Sequence, residues 1–231
     1  MSDPLRIALV GATGLIGRSL TQLVTGRADV RLIGIARREI RLPKGVRMEM
    51  IVAEPSNWGD VLQVIKPTVL VNALGTTWRK AGKNETAFRA VDQELVLKTA
   101  RAAHACGASR MISISSVGAD PHTKNFYLRV KGEVENDLMK IGFDRLDIVR
   151  PGLLRGRREG DNRTAERLAM AFAPIIDPLL FGKARRYRSI TAETVAEAVL
   201  ALALRKAAGR FKHENQAVLR AAQSLSRPGV K

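Results

Sequence analysis

The chain has 231 residues, of which 45% are hydrophobic and 26% charged, so it can bury one sizeable core as a soluble globular protein. No apolar run reaches the roughly 18 residues of a membrane span, no secretory leader opens the chain, and the single cysteine, Cys106, excludes an internal disulfide, so we expect a cytoplasmic protein. The formal charge of +17 predicts attraction to anions. Only 4% of the residues are aromatic, so the stacking surfaces of single-strand binders are scarce, and we favour a solvated basic surface over dedicated nucleic-acid binding.

Apolar runs of strand length alternate with amphipathic stretches through the first 150 residues. The predicted strands are Leu5–Val10, Val30–Ile35, Met48–Val52, Thr68–Ala73, Met111–Ser115 and Leu146–Val149. The predicted helices are Leu15–Thr25, Trp58–Ile65, Phe88–Cys106 and Phe126–Met139. This alternation is typical of βαβ units, so we predict an α/β fold with a doubly wound, Rossmann-like parallel sheet.

A glycine-rich turn, G-A-T-G-L-I-G, joins the first predicted strand to the first predicted helix. Its first glycine permits a tight turn, its second lets the backbone approach a pyrophosphate, and its third lets the helix sit close to the sheet. The anion would then meet free N–H groups at the start of the helix. The spacing fits the general dinucleotide fingerprint only in part, and glycines that serve packing alone are the alternative. The predicted cofactor contacts here are Gly11, Thr13, Gly14, Leu15, Ile16 and Gly17.

Two arginines, Arg37 and Arg38, follow the second predicted strand, twenty residues after Gly17. An NAD site normally carries Asp or Glu near this point, whereas arginine accommodates the 2′-phosphate of NADP. We therefore favour NADP(H) over NAD(H); the alternative is that both arginines belong to the general basic surface. A second group of predicted cofactor contacts closes the fourth predicted strand, and it consists of Asn72, Ala73, Leu74 and Gly75. An ordinary strand exit through Gly75, Thr76 and Thr77 is the alternative.

The Y-x-x-x-K pair of Tyr127 and Lys131 lies on one face of a predicted helix, a dozen residues after Ser115 and Ser116. A neighbouring ammonium favours the phenolate form of tyrosine and makes it a usable proton donor and acceptor near neutral pH. A serine hydroxyl at the end of the fifth strand would hold and polarise a substrate carbonyl. We favour Ser116 for this role from strand alternation, with Ser115 as the alternative. The alternative without a catalytic role is a core tyrosine next to a surface lysine.

The pattern changes after Pro151. Pro151 and Gly152 follow the sixth strand, where backbone amides can meet a nicotinamide carboxamide; an ordinary turn is the alternative. The predicted elements beyond are a charged loop at Gly156–Gly160, helices at Ala165–Phe172, Ala192–Leu204 and Asn215–Ser224, and a mobile tail from Arg227. We predict one domain over 1–231, with a dinucleotide-binding core at 1–150 and a substrate-side region at 151–231 that packs against the carboxyl edge of the sheet.

Six segments carry a resemblance to the short-chain dehydrogenase/reductase superfamily, in its atypical branch. They are G-A-T-G-L-I-G at 11–17, A-L-G-T-T-W-R-K-A-G at 73–82, V-D-Q-E-L-V-L-K at 91–98, S-S-V-G-A-D at 115–120, F-Y-L-R-V-K-G-E-V-E at 126–135 and F-D-R-L-D-I-V-R-P-G at 143–152. The chain most closely resembles the Tat-interacting-protein-like oxidoreductases. The resemblance implies NADPH binding and a Ser–Tyr–Lys site at Ser116, Tyr127 and Lys131. Asp92 stands where many relatives carry an asparagine of a proton relay, and an adenine-contacting Asp is replaced by an offset Glu54.

Two hypotheses of function follow. The first is an NADP(H)-dependent oxidoreductase that reduces a small carbonyl compound, with Tyr127 as proton donor and acceptor. The carbonyl compound could be anionic. The second is a cofactor-sensing regulatory or interaction protein with little turnover, whose basic surface meets an acidic partner. Between Arg155 and Arg188 basic residues outnumber acidic ones nine to four, which supports either an anionic substrate or such a partner. The sequence predicts no metal site, because its histidines and Cys106 are scattered, and it leaves a homodimer open.

Overall fold

The structure is a computed structural model that describes residues 3–39, 42, 45–46, 48–155 and 182–225. The predicted loop Gly156–Gly160, the predicted helix Ala165–Phe172 and the tail from Arg227 lie outside these residues. The described strands are β1 Leu5–Val10, β2 Val30–Ala36, β3 Glu49–Val52, β4 Val69–Asn72, β5 Arg110–Ile114, β6 Arg145–Arg150, β7 Leu154–Arg155, β8 Ile190–Thr191 and β9 Gly209–Glu214. The described α-helices are α1 Leu15–Val24, α2 Trp58–Ile65, α3 Glu85–Arg89, α4 Val96–Ala105, α5 Phe126–Met139, α6 Ala192–Leu204 and α7 Asn215–Leu225.

A seven-stranded sheet forms the centre of the molecule, in the order β3-β2-β1-β4-β5-β6-β9, and each neighbouring pair is parallel. The strand order reverses between β1 and β4, so a crevice opens there at the carboxyl ends of the two strands, which is where doubly wound sheets bind ligands. The predicted α/β, Rossmann-like fold is therefore confirmed.

Helices cover both faces of the sheet. α1, α6 and α7 pack on one face, and α2, α4 and α5 pack on the other. The central strands are buried on both faces, and Ile7–Val10 of β1 is fully inaccessible to solvent. This double burial explains why the strands appear in the sequence as continuous apolar runs rather than as an alternating pattern.

The C-terminal part differs from the prediction in two ways. β9 was not predicted, because its sequence, G-R-F-K-H-E, is largely charged and lacks the apolar run of a buried strand. A strand at the sheet edge needs no such run, since among the described strands it pairs with β6 alone and remains largely exposed. The helices α6 and α7 cover a face of the sheet beside α1 rather than its carboxyl edge.

The helix predicted over Phe88–Cys106 is a composite in which a π-helical turn, Ala90–Leu95, separates α3 from α4. Such turns are often found at functional sites. The buried side of this turn carries Asp92, whose side chain is fully inaccessible. An aspartate is normally placed on the solvent side of a helix. The position of Asp92 therefore needs a charged partner inside the protein.

Candidate cofactor and active site

The glycine-rich turn brings the backbone that follows β1 into close contact with the backbone at the end of β4. Gly11 has φ +88°, and a Cβ built on it would lie 2.3 Å from the carbonyl oxygen of Ala73. A Cβ on Gly17 would lie 2.4 Å from the carbonyl oxygen of Gly11. The Gly14 N–H donates to that same oxygen at 3.0 Å. Gly11 and Gly17 are thus needed for close backbone contact, and their contacts with a cofactor stay predictions.

The start of α1 fits a phosphate. Gly14 is the N-cap and supplies no side-chain acceptor to the first-turn N–H groups. Thr13 is exposed, Leu15 is half-buried, and the side chain of Ile16 is buried in the core. The exposed turn therefore offers backbone N–H groups and the positive end of the helix dipole to an anion, with no bulky side chain from its glycines in the way.

The other predicted cofactor residues lie around the same edge. Arg37 and Arg38 are exposed directly after β2, next to β1. Ala73 lies against Gly11, and Leu74 and Gly75 continue the chain past the crevice. The Asn72 amide is buried and used inside the protein: its Nδ2 donates to Ser113 Oγ at 3.0 Å, and its Oδ1 accepts from the Leu74 N–H at 3.2 Å. Asn72 thus shapes the end of β4 through its side chain.

Lys131 is the buried cation of the site. Its Nζ lies 2.7 Å from Asp92 Oδ1, and the second Asp92 oxygen accepts from the Thr76 N–H at 2.7 Å. Burial lowers the pKa of Lys131, but Asp92, Tyr127 and Glu135 together outweigh it and raise that pKa above its ordinary value. Lys131 is therefore a fixed ammonium at working pH. The pair also explains why Asp92 is buried.

Tyr127 lies one turn before Lys131 on α5, and its ring packs edge-to-face on Phe88 at 5.7 Å between centroids. Within the described part of the chain, its hydroxyl makes no hydrogen bond. The phenol is thus held by its ring, one helical turn from a charged lysine, while its oxygen remains open to another partner.

The two serines after β5 have different surroundings. Ser115 Oγ donates to Glu135 Oε1 at 2.6 Å, whereas Ser116 Oγ has only a long contact of 3.4 Å to its neighbour's carbonyl oxygen, that of Val117. Ser115 is therefore committed to a buried carboxylate, and Ser116 is the serine with a hydroxyl available to a ligand.

Glu135 completes a stripe on α5 that the sequence prediction missed. It lies one turn after Lys131, is 1% exposed, and accepts from Arg150 through both of its oxygens. Arg150 in turn donates to the Ala119 carbonyl oxygen at 3.0 Å. The signal in the sequence was the four-residue spacing Tyr127, Lys131, Glu135, but nothing there showed which arginine would meet the carboxylate.

Pro151 and Gly152 lie beside the serine loop. The Val117 N–H donates to the Pro151 carbonyl oxygen at 3.1 Å, and a Cβ on Gly152 would lie 2.2 Å from the carbonyl oxygen of Arg188. Gly152 is thus required for close contact with the segment before β8. Its contact with a nicotinamide carboxamide stays a prediction.

Among the described residues no group of His, Cys, Asp and Glu could hold a metal ion. None of the helices in the described ranges is long and apolar enough to cross a membrane.

The parallel sheet, the glycine cradle at its switch point and the free helix start define a dinucleotide-binding protein of the Rossmann type. The chain belongs to the NAD(P)H-binding family, whose sequence profile matches residues 11–206. A protein named "Protein fmp52, mitochondrial" from Emericella nidulans is 36% identical over 174 residues, covering 72% of this chain and 74% of that protein. "Protein FMP52, mitochondrial" from Meyerozyma guilliermondii is 30% identical over 179 residues, covering 77% of each.

Solved structures agree on the fold. MoeE5, in complex with UDP-glucuronic acid and NAD, superimposes with a TM-score of 0.69 at 14% identity, covering 90% of this chain and 75% of that chain. WbmH from Bordetella bronchiseptica, in complex with NAD+, superimposes with a TM-score of 0.66 at 13% identity, covering 98% and 83%. At such identities the likeness concerns the architecture alone.

The names of the sequence relatives correct one prediction. We expected a cytoplasmic protein, but the relatives are named as mitochondrial proteins, so that expectation is wrong. The error came from the single cysteine, Cys106, because a chain without disulfides indicates reducing conditions but does not identify an organelle.

Proposed function

We propose that this protein is an NADP(H)-dependent reductase of a small carbonyl compound, with Tyr127 as its proton donor. The observation that carries the proposal is the buried ammonium of Lys131, held by Asp92 one helical turn from a phenol whose oxygen has no hydrogen-bond partner among the described residues. Tyr127 and Lys131 both lie on α5, which packs on the same seven-stranded sheet that carries the glycine-rich turn. A dinucleotide site alone would not need this arrangement.

The chain's own residues account for the proton. When bound, the reduced nicotinamide supplies a hydride to the carbonyl carbon. Tyr127 gives its hydroxyl proton to the carbonyl oxygen, which yields an alcohol and a phenolate. The ammonium of Lys131 stabilises that phenolate, and a proton from solvent restores the phenol. In the reverse direction, Tyr127 takes the alcohol proton.

Ser116 is our choice for the hydroxyl that holds the carbonyl oxygen. The support is that Ser115 Oγ already donates to buried Glu135, whereas Ser116 Oγ has only a long local contact. A hydroxyl that must donate to a substrate needs to be free of a stronger acceptor. We therefore expect Ser116→Ala to lower kcat/KM far more than Ser115→Ala does at equal folded fraction.

NADP(H) is our choice of cofactor because Arg37 and Arg38 are exposed at the end of β2 and make no ion pair within the described residues. That position receives the adenosine ribose in Rossmann folds. We further propose the finer assignment to the Tat-interacting-protein-like oxidoreductases and, from the relatives' names, a mitochondrial location.

The test has a binding step and a turnover step. We expect the protein to bind NADPH at micromolar concentration, measured by the fluorescence change of the cofactor on titration. With a carbonyl compound found by following NADPH absorbance, Tyr127→Phe should abolish turnover and leave the NADPH Kd within about twofold. The proposal fails if NADPH does not bind at millimolar concentration, or if Tyr127→Phe retains turnover. NADPH binding without turnover of any carbonyl would replace it with the cofactor-sensing alternative.

A further inference from the structure

The segment before β8 lies directly over the serine loop. Its 3₁₀ turn, Gly182–Tyr187, leads into backbone that contacts Gly152, as described above, and Asn215 Nδ2 anchors it by donating to the Arg188 carbonyl oxygen at 2.8 Å. A Cβ built on Gly118 would lie 3.8 Å from the hydroxyl oxygen of Tyr187. The hydroxyl of Tyr187 is therefore a neighbour of the loop that carries Ser116.

The side chain of Arg186 lies beside that of Tyr187. Its Nη2 donates to the Tyr187 hydroxyl at 3.2 Å, and its guanidinium carbon lies 5.0 Å from the centroid of the Tyr187 ring. The nearest carboxylate described, Glu214, is 3.8 Å away, is 40% exposed, and lies at a similar distance from Arg150. Arg150 is already paired with buried Glu135, so Arg186, held only loosely by Glu214, is a cation that can attract an anion beside the serine loop.

A second arginine near this place has an unused donor. Arg155 lies on β7, which pairs with β8 just beyond the 3₁₀ turn. Its Nε is buried and has no hydrogen-bond partner among the residues described. A buried donor left unpaired costs about 1–3 kcal/mol, so such groups normally have an acceptor in the working protein.

Cations without acid partners also surround the wider carboxyl edge. Surface ion pairs such as Arg27–Asp29 and Arg31–Glu49 lie at the opposite, amino edge of the sheet. Within the part of the chain that the structure describes, no carboxylate pairs with the basic side chains of the carboxyl-edge loops, which are Arg37, Arg38, Arg79, Lys80, Lys83 and Lys124. These cations would attract anions toward the mouth of the crevice.

We propose that the substrate is a phosphorylated carbonyl compound, and that Arg186, with the Tyr187 hydroxyl and Arg155, binds its phosphate beside Ser116. This inference rests on the proposed reductase function and names its substrate class. Guanidinium groups and a hydroxyl supply donors in the fork geometry that phosphate oxygens accept. Arg186 and Tyr187 are exposed, so an anion can reach them from solvent, and a small phosphate is favoured over an acidic protein because the Tyr187 hydroxyl lies beside the loop that carries Ser116.

The test compares two compounds that differ only in a phosphate. Protein saturated with NADP⁺, which cannot reduce a carbonyl, is titrated calorimetrically with dihydroxyacetone phosphate and with dihydroxyacetone. We expect the phosphorylated compound to bind at least tenfold more tightly, and Arg186→Gln to remove that preference while leaving the NADPH Kd unchanged. Arg210→Gln is the matched control, because Arg210 is an exposed arginine near the amino end of β9 and should keep the preference.

The outcomes distinguish a failure of the phosphate site from a failure of the proposed reductase function. Equal affinity for the two compounds, or equal weakening by Arg186→Gln and Arg210→Gln, would overturn the phosphate site and leave general basicity as the explanation. Reduction of neutral carbonyls without a phosphate preference would overturn this inference alone. A phosphate preference that depends on Arg186, without any NADPH oxidation, would support the site and reject the reductase. If Arg186→Gln is unstable, Arg186→Lys should retain the fold and lose most of the preference, because an ammonium lacks the planar fork.

Discussion

Replacing Glu135 with glutamine should destabilise the protein far more than an ordinary surface charge change. Glu135 is 1% exposed and is the main carboxylate partner of Arg150, whose side chain is 14% exposed. Removing one member of a buried ion pair typically costs about 3–5 kcal/mol, because the remaining charge stays desolvated. For a domain of this size each kcal/mol lowers Tm by about 2–4 °C, so we expect a fall of roughly 10 °C in a thermal melt.

Glu133→Gln is the control for this prediction. Glu133 lies two residues earlier on the same helix and pairs with Arg89 at 2.6 Å, but both side chains are about one third exposed. Partly exposed pairs contribute about 0–1 kcal/mol, so its Tm should fall by less than about 4 °C. A Glu135→Gln protein that melts within 3 °C of Glu133→Gln would refute the reasoning.

A double variant separates stability from positioning. Glu135→Leu with Arg150→Met replaces the pair by apolar groups of similar size, a change that is often neutral or stabilising. We expect its Tm to recover most of the loss. Its turnover should stay low, because Arg150 no longer holds the Ala119 carbonyl and Glu135 no longer holds Ser115. Full recovery of kcat would show that the network serves the fold alone.

Three further predictions concern the cofactor site and its charges. Arg37→Gln with Arg38→Gln should raise the NADPH Kd at least about tenfold and leave the NADH Kd nearly unchanged in the same fluorescence titration, and equal losses for both cofactors would contradict the NADP assignment. Gly17→Ala should abolish NADPH binding and lower Tm, because its Cβ would lie 2.4 Å from the Gly11 carbonyl oxygen, whereas Gly59→Ala on α2, with its nearest neighbour atom at 3.9 Å, should do neither. Asp92→Asn should destabilise the protein at neutral pH. The pKa of Lys131 is raised in the folded state, so the pair with Asp92 contributes its full stabilisation below the ordinary lysine pKa of 10.5. This contribution is lost as pH rises through the pKa of Lys131 in the folded protein. The difference in unfolding free energy from the wild type should therefore be constant from pH 6 to about 9 and shrink above pH 10.5, and a difference that grows with pH would reject the pair.

The sequence predicted the parts of this fold whose signal is local. β1, α2 and α5 begin and end where the apolar patterns placed them, because each buries a continuous run or a helical stripe against the core. The glycine turn was found for the same reason, since its conformation depends on neighbouring residues. β9 gave no such signal, because its pairing with β6 is a long-range backbone interaction that tolerates a charged sequence at an edge.

The predicted site was incomplete wherever two distant segments meet. Tyr127 and Lys131 were recognised from their own spacing, and the family resemblance placed Asp92 at a proton-relay position, but neither the pairing of Asp92 with Lys131 nor the role of Glu135 was predicted. Asp92 has the sequence context of an exposed helix residue, and only the fold brings it to Lys131. In the same way, the partner of Glu135 lies fifteen residues away on β6. A buried charge leaves no periodic trace in the sequence, since its stability depends on a partner from another element.

The charges of the molecule therefore divide into two groups with different physical roles. The inner cations, Lys131 and Arg150, each face a buried carboxylate, so they are fixed in place and contribute little net field outside the protein. The cations named above in the carboxyl-edge loops, and Arg186 of the 3₁₀ turn, face no buried carboxylate among the described residues, so their field extends into solvent and falls off with added salt. An anionic ligand would be attracted by the second group and oriented by the first. This division predicts that salt weakens the association of NADPH and of a phosphorylated substrate, while a turnover step governed by Tyr127 and Lys131 stays insensitive to salt once both are bound.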